Sequence, residues 1–277
     1  MSAPDGSAAV VAGIGTTGED LPVVRLAAQE AVTHGRALAL LHAFNWAAST
    51  PQPTTIGPRA EAEQLIDRAL VVAHQVSSAL PVAEEIVEGD AVVALIRRSA
   101  SAFLVAVGDG GMTDCGRCVP ADTPAVQVAA RADCPVLVVR RDPPPQGPLL
   151  VGVDGSPSSR AALGFAFDCA ANRSARMLAV RVVEPDRPAD TGEGLAEIVA
   201  GYRQRYPTVG VECHTVHGDA ETVLVEQSRS AQLTVVAARG DEPRRGMLGP
   251  VAQTLIYHSP APVLVVRGLT DSAPGRG

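Results

Sequence analysis

Between Gly108 and Val126 the chain reads GDGGMTDCGRCVPADTPAV, directly after the apolar segment FLVAV. Three chemistries fit this run. Gly108 and Gly111 make a glycine turn whose backbone N–H groups can approach phosphate oxygens. Cys115 and Cys118 form a Cys-x-x-Cys pair, which does dithiol chemistry where a helix N-terminus stabilises a thiolate. Asp122 or Thr123 is placed to open a helix. A second run, VGVDGSPSSR, ends an apolar segment on Asp154, with Ser156 as the expected N-cap and Pro157 as the first helical residue. Asp-Gly is also ordinary turn chemistry, so Asp154 either serves the turn or faces a ligand.

The thiol reading has little around it. Pro120 separates the cysteines from the helix start, and one pair is too few for structural zinc, which takes four ligands. His214 and His217, beside Cys213, fall on a predicted strand whose alternation turns the two rings to opposite faces. Surface cysteines in a loop are the competing account. No nucleophile-elbow serine occurs, and pattern alone sets no histidine beside a carboxylate, so an enzyme is not expected.

Composition removes other classes. The 277 residues are 46% hydrophobic and 19% charged, a globular composition with room for two domains. Every basic residue is arginine, which excludes a Walker lysine, a Schiff-base enzyme and a pyridoxal-phosphate site. A net charge of −7 and 3% aromatic residues argue against nucleic acid as a partner. No stretch approaches the ~20 apolar residues of a membrane span, and no basic segment precedes the first apolar run. Five cysteines, mostly inside apolar segments, suit reduced thiols, so the expectation is a soluble, cytoplasmic protein.

These residues must be positioned by alternating strands and helices. AAVVAGIG, ALALLHAF, VAEEIVEG, AFLVAVG and CPVLVVR read as strands, separated by four stretches with helical spacing. RRDPPPQG then interrupts the pattern, because three consecutive prolines favour an extended linker. The same order follows again: PLLVGVDG, ARMLAVRVV, VGVECHTV, QLTVVA and APVLVVR alternate with four more helices. VEGDAVVALIRRSASAFLVAVGDGG aligns without a gap on VHGDAETVLVEQSRSAQLTVVAARG, setting Gly89 on Gly218 and Gly111 on Gly240. ADCPVLVVR likewise aligns on SPAPVLVVR. The chain is two tandem copies of one α/β unit, with its parallel sheet covered on both faces. Residues 1–141 form the first domain, 142–147 the linker, 148–268 the second domain and 269–277 a flexible tail. In such folds ligands bind beyond the carboxyl ends of the strands where strand order reverses, which selects the loops after the first and fourth strands of each copy.

GVDGSPSSRAAL, the GDA after the third strand, ARGDEPRRGMLG and the closing SPAPVLVVR resemble the universal stress protein family. The resemblance spans essentially the whole chain as a tandem pair. It implies a five-stranded parallel sheet flanked by helices in each copy, Rossmann-like and similar to the adenine nucleotide alpha hydrolases. It also implies a stress-response binding or regulatory role, ATP in the crevice of some members, and pairing of domains along the final strand. The chain would then be a pseudo-dimer of its own halves, with a homodimer and an unknown protein partner also in view. ATP-binding members carry an Asp after the first strand and a loop spaced G-x-x-G, nine residues, then G-S or G-T.

Carried over, the second copy keeps Asp154, Gly240 and Gly249. Ala237 replaces the first glycine, eight residues separate Gly240 from Gly249, and Pro250 stands in place of Ser or Thr. Proline supplies neither hydroxyl nor N–H, so two phosphate donors are missing. Arg239, Arg244 and Arg245 either compensate with charge or form a solvated basic loop. The first copy keeps Gly108, Gly111 and Thr123, but has Gly15 in place of the Asp, Asp122 in place of the later glycine, and one residue too many. A carboxylate at Asp122 repels phosphate. The expectation is weakened or lost nucleotide binding in both copies, with two alternatives: an ATP sensor in the second copy, or a thiol sensor at Cys115 and Cys118.

Overall fold

The computed structural model describes residues 8–15, 21–44, 57–110, 123–142, 144–183, 194–240 and 246–267. Gly111, Cys115, Cys118, Asp122, Arg244, Arg245 and the 269–277 tail lie outside the described residues. The first half runs β1 (Ala9–Ile14), α1 (Leu21–Thr33), β2 (Leu38–Phe44), α2 (Pro58–Val76), β3 (Val82–Glu88), α3 (Ala91–Ser99), β4 (Ala102–Gly108), α4 (Pro124–Arg131) and β5 (Val136–Val139). The second half repeats the order: β6 (Leu149–Gly152), α5 (Pro157–Arg173), β7 (Met177–Val183), α6 (Leu195–Arg205), β8 (Val211–His217), α7 (Ala220–Ser228), β9 (Leu233–Ala237), α8 (Pro250–His258) and β10 (Val263–Val266).

The repeat is visible in its turns. Gly89 and Gly218, each after the third strand of its half, sit at φ of +127° and +154°, a backbone that L side chains rarely adopt. The following aspartate then caps the helix. Asp90 accepts from the Val93 N–H at 2.9 Å and Asp219 from the Thr222 N–H at 2.8 Å. The GDA triplet is therefore a strand-to-helix device: a glycine for the turn, a carboxylate for the exposed helix donors.

Each half is a parallel five-stranded sheet, but the two are one. The full order is β3-β2-β1-β4-β5-β10-β9-β6-β7-β8, and the only antiparallel pairing among the described strands joins the halves. Val136, Leu137 and Val138 of β5 pair with Val265, Leu264 and Val263 of β10. All four residues of each VLVV strand are buried. Left unpaired, either would be an apolar sheet edge, and pairing them removes both. The outer strands β3 and β8 are half exposed, and they carry the glutamates of β3 and the glutamate and histidines of β8 among their apolar residues.

One face of the sheet is covered by α1, α2, α5 and α6, and the other by α3, α4, α7 and α8. Each core runs through both halves without a break. At the seam, Arg140 after β5 donates through Nη2 to the carbonyls of Leu255 and Ile256 in the last turn of α8, at 2.8 and 2.7 Å. Reciprocally, Arg267 after β10 donates to the carbonyls of Ala129, Ala130 and Ala132 at the end of α4. Helix ends leave their last carbonyls without intrahelical donors, and each half supplies them to the other. No helix among the described residues is long and apolar enough to cross a membrane.

Candidate functional site

The chain leaves β1 outward to β2 and β3, then returns to β4 on the other side of β1; β6 and β9 repeat this in the second half. The strand order therefore reverses at β1/β4 and at β6/β9, which opens a crevice at the carboxyl end of each pair. A cavity of about 510 Å³ opens elsewhere, lined by Pro148, Ala175, Arg176 and Gln232 at the starts of β6, β7 and β9. It lies at the opposite end of the sheet from the crevices.

In the second half the expected residues converge. Asp154 follows β6 and is exposed at the crevice, and its Oδ1 accepts from the Ser156 N–H at 3.0 Å and the Ser156 hydroxyl at 2.6 Å. Ser156 in turn caps α5, accepting from the Ser159 N–H at 3.1 Å. Surrounding protein pushes the Asp154 carboxyl up, but hydrogen bonds from Ser156 and Ser159 outweigh this and hold it below its ordinary value. The carboxylate is thus held ionised by its own turn. Across the crevice, a Cβ at Gly240 would lie 2.7 Å from Asp154 Oδ2. Gly240 is needed there because the loop backbone touches the aspartate.

At the start of α8 the described donors are used within the protein. Gly249 is the N-cap of α8, and its N–H donates to the Ala238 carbonyl at 2.7 Å. The Ala238 N–H is itself donated to Val266 at 2.8 Å. Pro250, first residue of α8, has no N–H. The helix N-terminus that should greet a phosphate therefore lacks the Pro250 donor outright and uses the Gly249 donor internally. Arg239 reaches from this loop toward exposed Met247, its Nη1 3.9 Å from Sδ.

The first half keeps less. Gly15, after β1, offers no carboxylate. Gly108 is the last residue of β4, paired with Val139, and Thr123 is the N-cap of α4 without a side-chain capping bond. Asp109, between them in chain order, is buried and meets Arg140 at 3.4 Å. A second acid in this loop is therefore committed to the seam. Sequence reasoning missed this pair because nothing local links residues 109 and 140.

One expectation is corrected. Pattern does set a histidine beside a carboxylate: Glu30 and His34 are spaced i, i+4 at the end of α1, with His34 Nε2 3.5 Å from Glu30 Oε2. The helical spacing was the signal. What it lacked was Cys169 and Arg173 of α5, which join the pair from the other half.

Two tandem, doubly wound α/β units, each with a strand-order reversal at β1/β4 or β6/β9 and fused through their last strands, define a Rossmann-like tandem protein. Residues 8–140 and residues 147–267 each match the universal stress protein family. A universal stress protein of Mycobacterium tuberculosis is 33% identical over 294 residues, covering 96% of this chain and 99% of that protein. One from Mycolicibacterium smegmatis is 32% identical over 284 residues, with coverages of 93% and 96%. A solved universal stress protein from Archaeoglobus fulgidus superimposes with a TM-score of 0.63 at 17% identity, covering 95% of this chain and 97% of that one. The chain belongs to the universal stress protein family.

Proposed function

We propose that this universal stress protein is a cytoplasmic, non-enzymatic regulatory and binding module, with its grip on adenine nucleotide weakened in the second half and lost in the first. The site residues are Asp154, Arg239, Gly240 and Gly249 in the second half and the remnants Gly108, Gly111 and Thr123 in the first. The chain divides at 1–141, 142–147, 148–268 and 269–277. It acts on a protein partner, with ATP or a related adenine nucleotide as a weak ligand at most.

The observation that carries this reading is the state of the phosphate end of the crevice. Backbone N–H groups and a helix N-terminus hold phosphate only where the donors point outward. Here the Gly249 N–H is bonded to Ala238 and Pro250 has none to offer. Asp154 and Gly240 preserve the other side of the crevice, which supports residual recognition of the nucleoside. Isothermal calorimetry with Mg-ATP, ADP and AMP tests it. Dissociation constants of about 1 mM or weaker are expected. A micromolar isotherm abolished by Asp154→Ala would instead make the second half a nucleotide sensor.

A further inference from the structure

A polar cluster at the seam belongs to neither crevice. Glu30 and His34 come from the end of α1, while Cys169 and Arg173 come from α5 of the other half. His34 Nε2 lies 3.5 Å from Glu30 Oε2 and 4.0 Å from Cys169 Sγ, and the three donor atoms all fall within 4.8 Å of one another. Glu30 is 2% exposed and Cys169 is fully buried. Arg173 pairs with Glu30 through Oε1. Beyond that ion pair the buried carboxylate has no hydrogen-bond partner, and Oε2 lies on the imidazole side. Phe103 and Phe165 wall the ring, with centroids 4.8 and 6.1 Å from that of His34.

We infer that Glu30, His34 and Cys169 form a zinc site that links the two halves, with Oε2, Nε2 and Sγ as ligands and a fourth position open to water. A thiolate, an imidazole and a carboxylate suit zinc, whereas magnesium and calcium take all-oxygen sets. Ordinary zinc bond lengths in a tetrahedron put donors roughly 3.3–3.6 Å apart, so the 3.5 Å between Oε2 and Nε2 already fits, and Sγ, 4.0 Å from Nε2 and within 4.8 Å of Oε2, closes on both when the metal binds. Arg173 does not compete for the metal: it holds Oε1 and leaves Oε2 aimed inward. The Asn172 amide nitrogen lies 3.3 Å from His34 Nδ1; metal binding through Nε2 puts the imidazole proton on Nδ1, so the Asn172 amide turns over to present its oxygen there. Binding displaces the Cys169 thiol proton to solvent, so one Zn²⁺ enters and one H⁺ leaves.

Cobalt(II) titration of the full chain, freed of metal by chelator, tests the site. One equivalent should produce a sulfur-to-cobalt charge-transfer band and intense tetrahedral d–d absorption, both erased by added Zn²⁺. Cys169→Ser should remove the charge-transfer band, and the double variant Cys115→Ser, Cys118→Ser should keep it. His34→Gln should weaken cobalt binding about tenfold or more, and it serves if Cys169→Ser does not fold. Zinc should raise the Tm of the parent chain and leave that of the His34→Gln chain unchanged. The inference is overturned if no band appears, if the band is lost with Cys115 and Cys118 instead of Cys169, or if His34→Gln binds cobalt as tightly as the parent.

Discussion

Asp154 is shared between a turn and a crevice, and that sharing decides what each nearby substitution does. Gly240→Ala places a methyl group against a carboxylate that Ser156 already holds, so roughly 1 kcal/mol of stability should be lost in urea denaturation; an unchanged midpoint would refute the close approach. Because the folded Asp154 pKa is depressed, its stabilisation is present above the unfolded carboxylate pKa and disappears as pH falls through the folded value. Urea midpoints measured from about pH 5 down to about pH 2 should therefore fall more steeply for the parent chain than for Ser156→Ala. Parallel slopes would remove Ser156 as the cause. At the phosphate end, Pro250→Ser restores one N–H and one hydroxyl at the start of α8 and should tighten Mg-ATP binding about tenfold. Calorimetry on that variant showing no gain would mean that the loop, and not the proline, blocks the site.

At the scale of elements, the arginines after β5 and β10 matter more than their strands' length suggests. Arg140 is buried, and burial lowers its pKa while Asp109 opposes that shift. Arg140→Met removes the buried cation facing Asp109 and the guanidinium donors to two carbonyls of α8 at once, a loss of about 3–5 kcal/mol by chemical denaturation. A loss below about 1 kcal/mol would show that water satisfies those groups equally well. Deleting residues 262–267 should expose β5 and β9 together, and size-exclusion chromatography should then show aggregates. A monodisperse product would rule out the strand pairing as the join. The strands themselves were legible from Val and Leu runs, and the helices from their spacing, because both faces of a parallel sheet must be apolar. The loop from 111 to 122 was legible only as departures from a family pattern, and it lies outside the described residues.

For the whole molecule, the continuous ten-stranded sheet makes the halves a single packing unit. Residues 148–267 expressed alone should dimerise by pairing β10 with a second β10, since that edge loses β5; a stable monomer in sedimentation would argue against it. By itself the sequence determined the alternating elements, the tandem repeat, the paired GDA triplets and the departures of both loops from the family pattern. All of these are read from residue type, period and spacing, or from one stretch of sequence matching another. Tertiary structure alone decided that two sheets became one, that Asp109 serves Arg140, that Gly249 turns its N–H inward, and that Glu30 and His34 meet Cys169 and Arg173. Each of those contacts joins parts of the chain that nothing local connects, most of them far apart. Side-chain chemistry can be read from the sequence, but which distant groups it meets is set by how the helices pack across the β5/β10 seam.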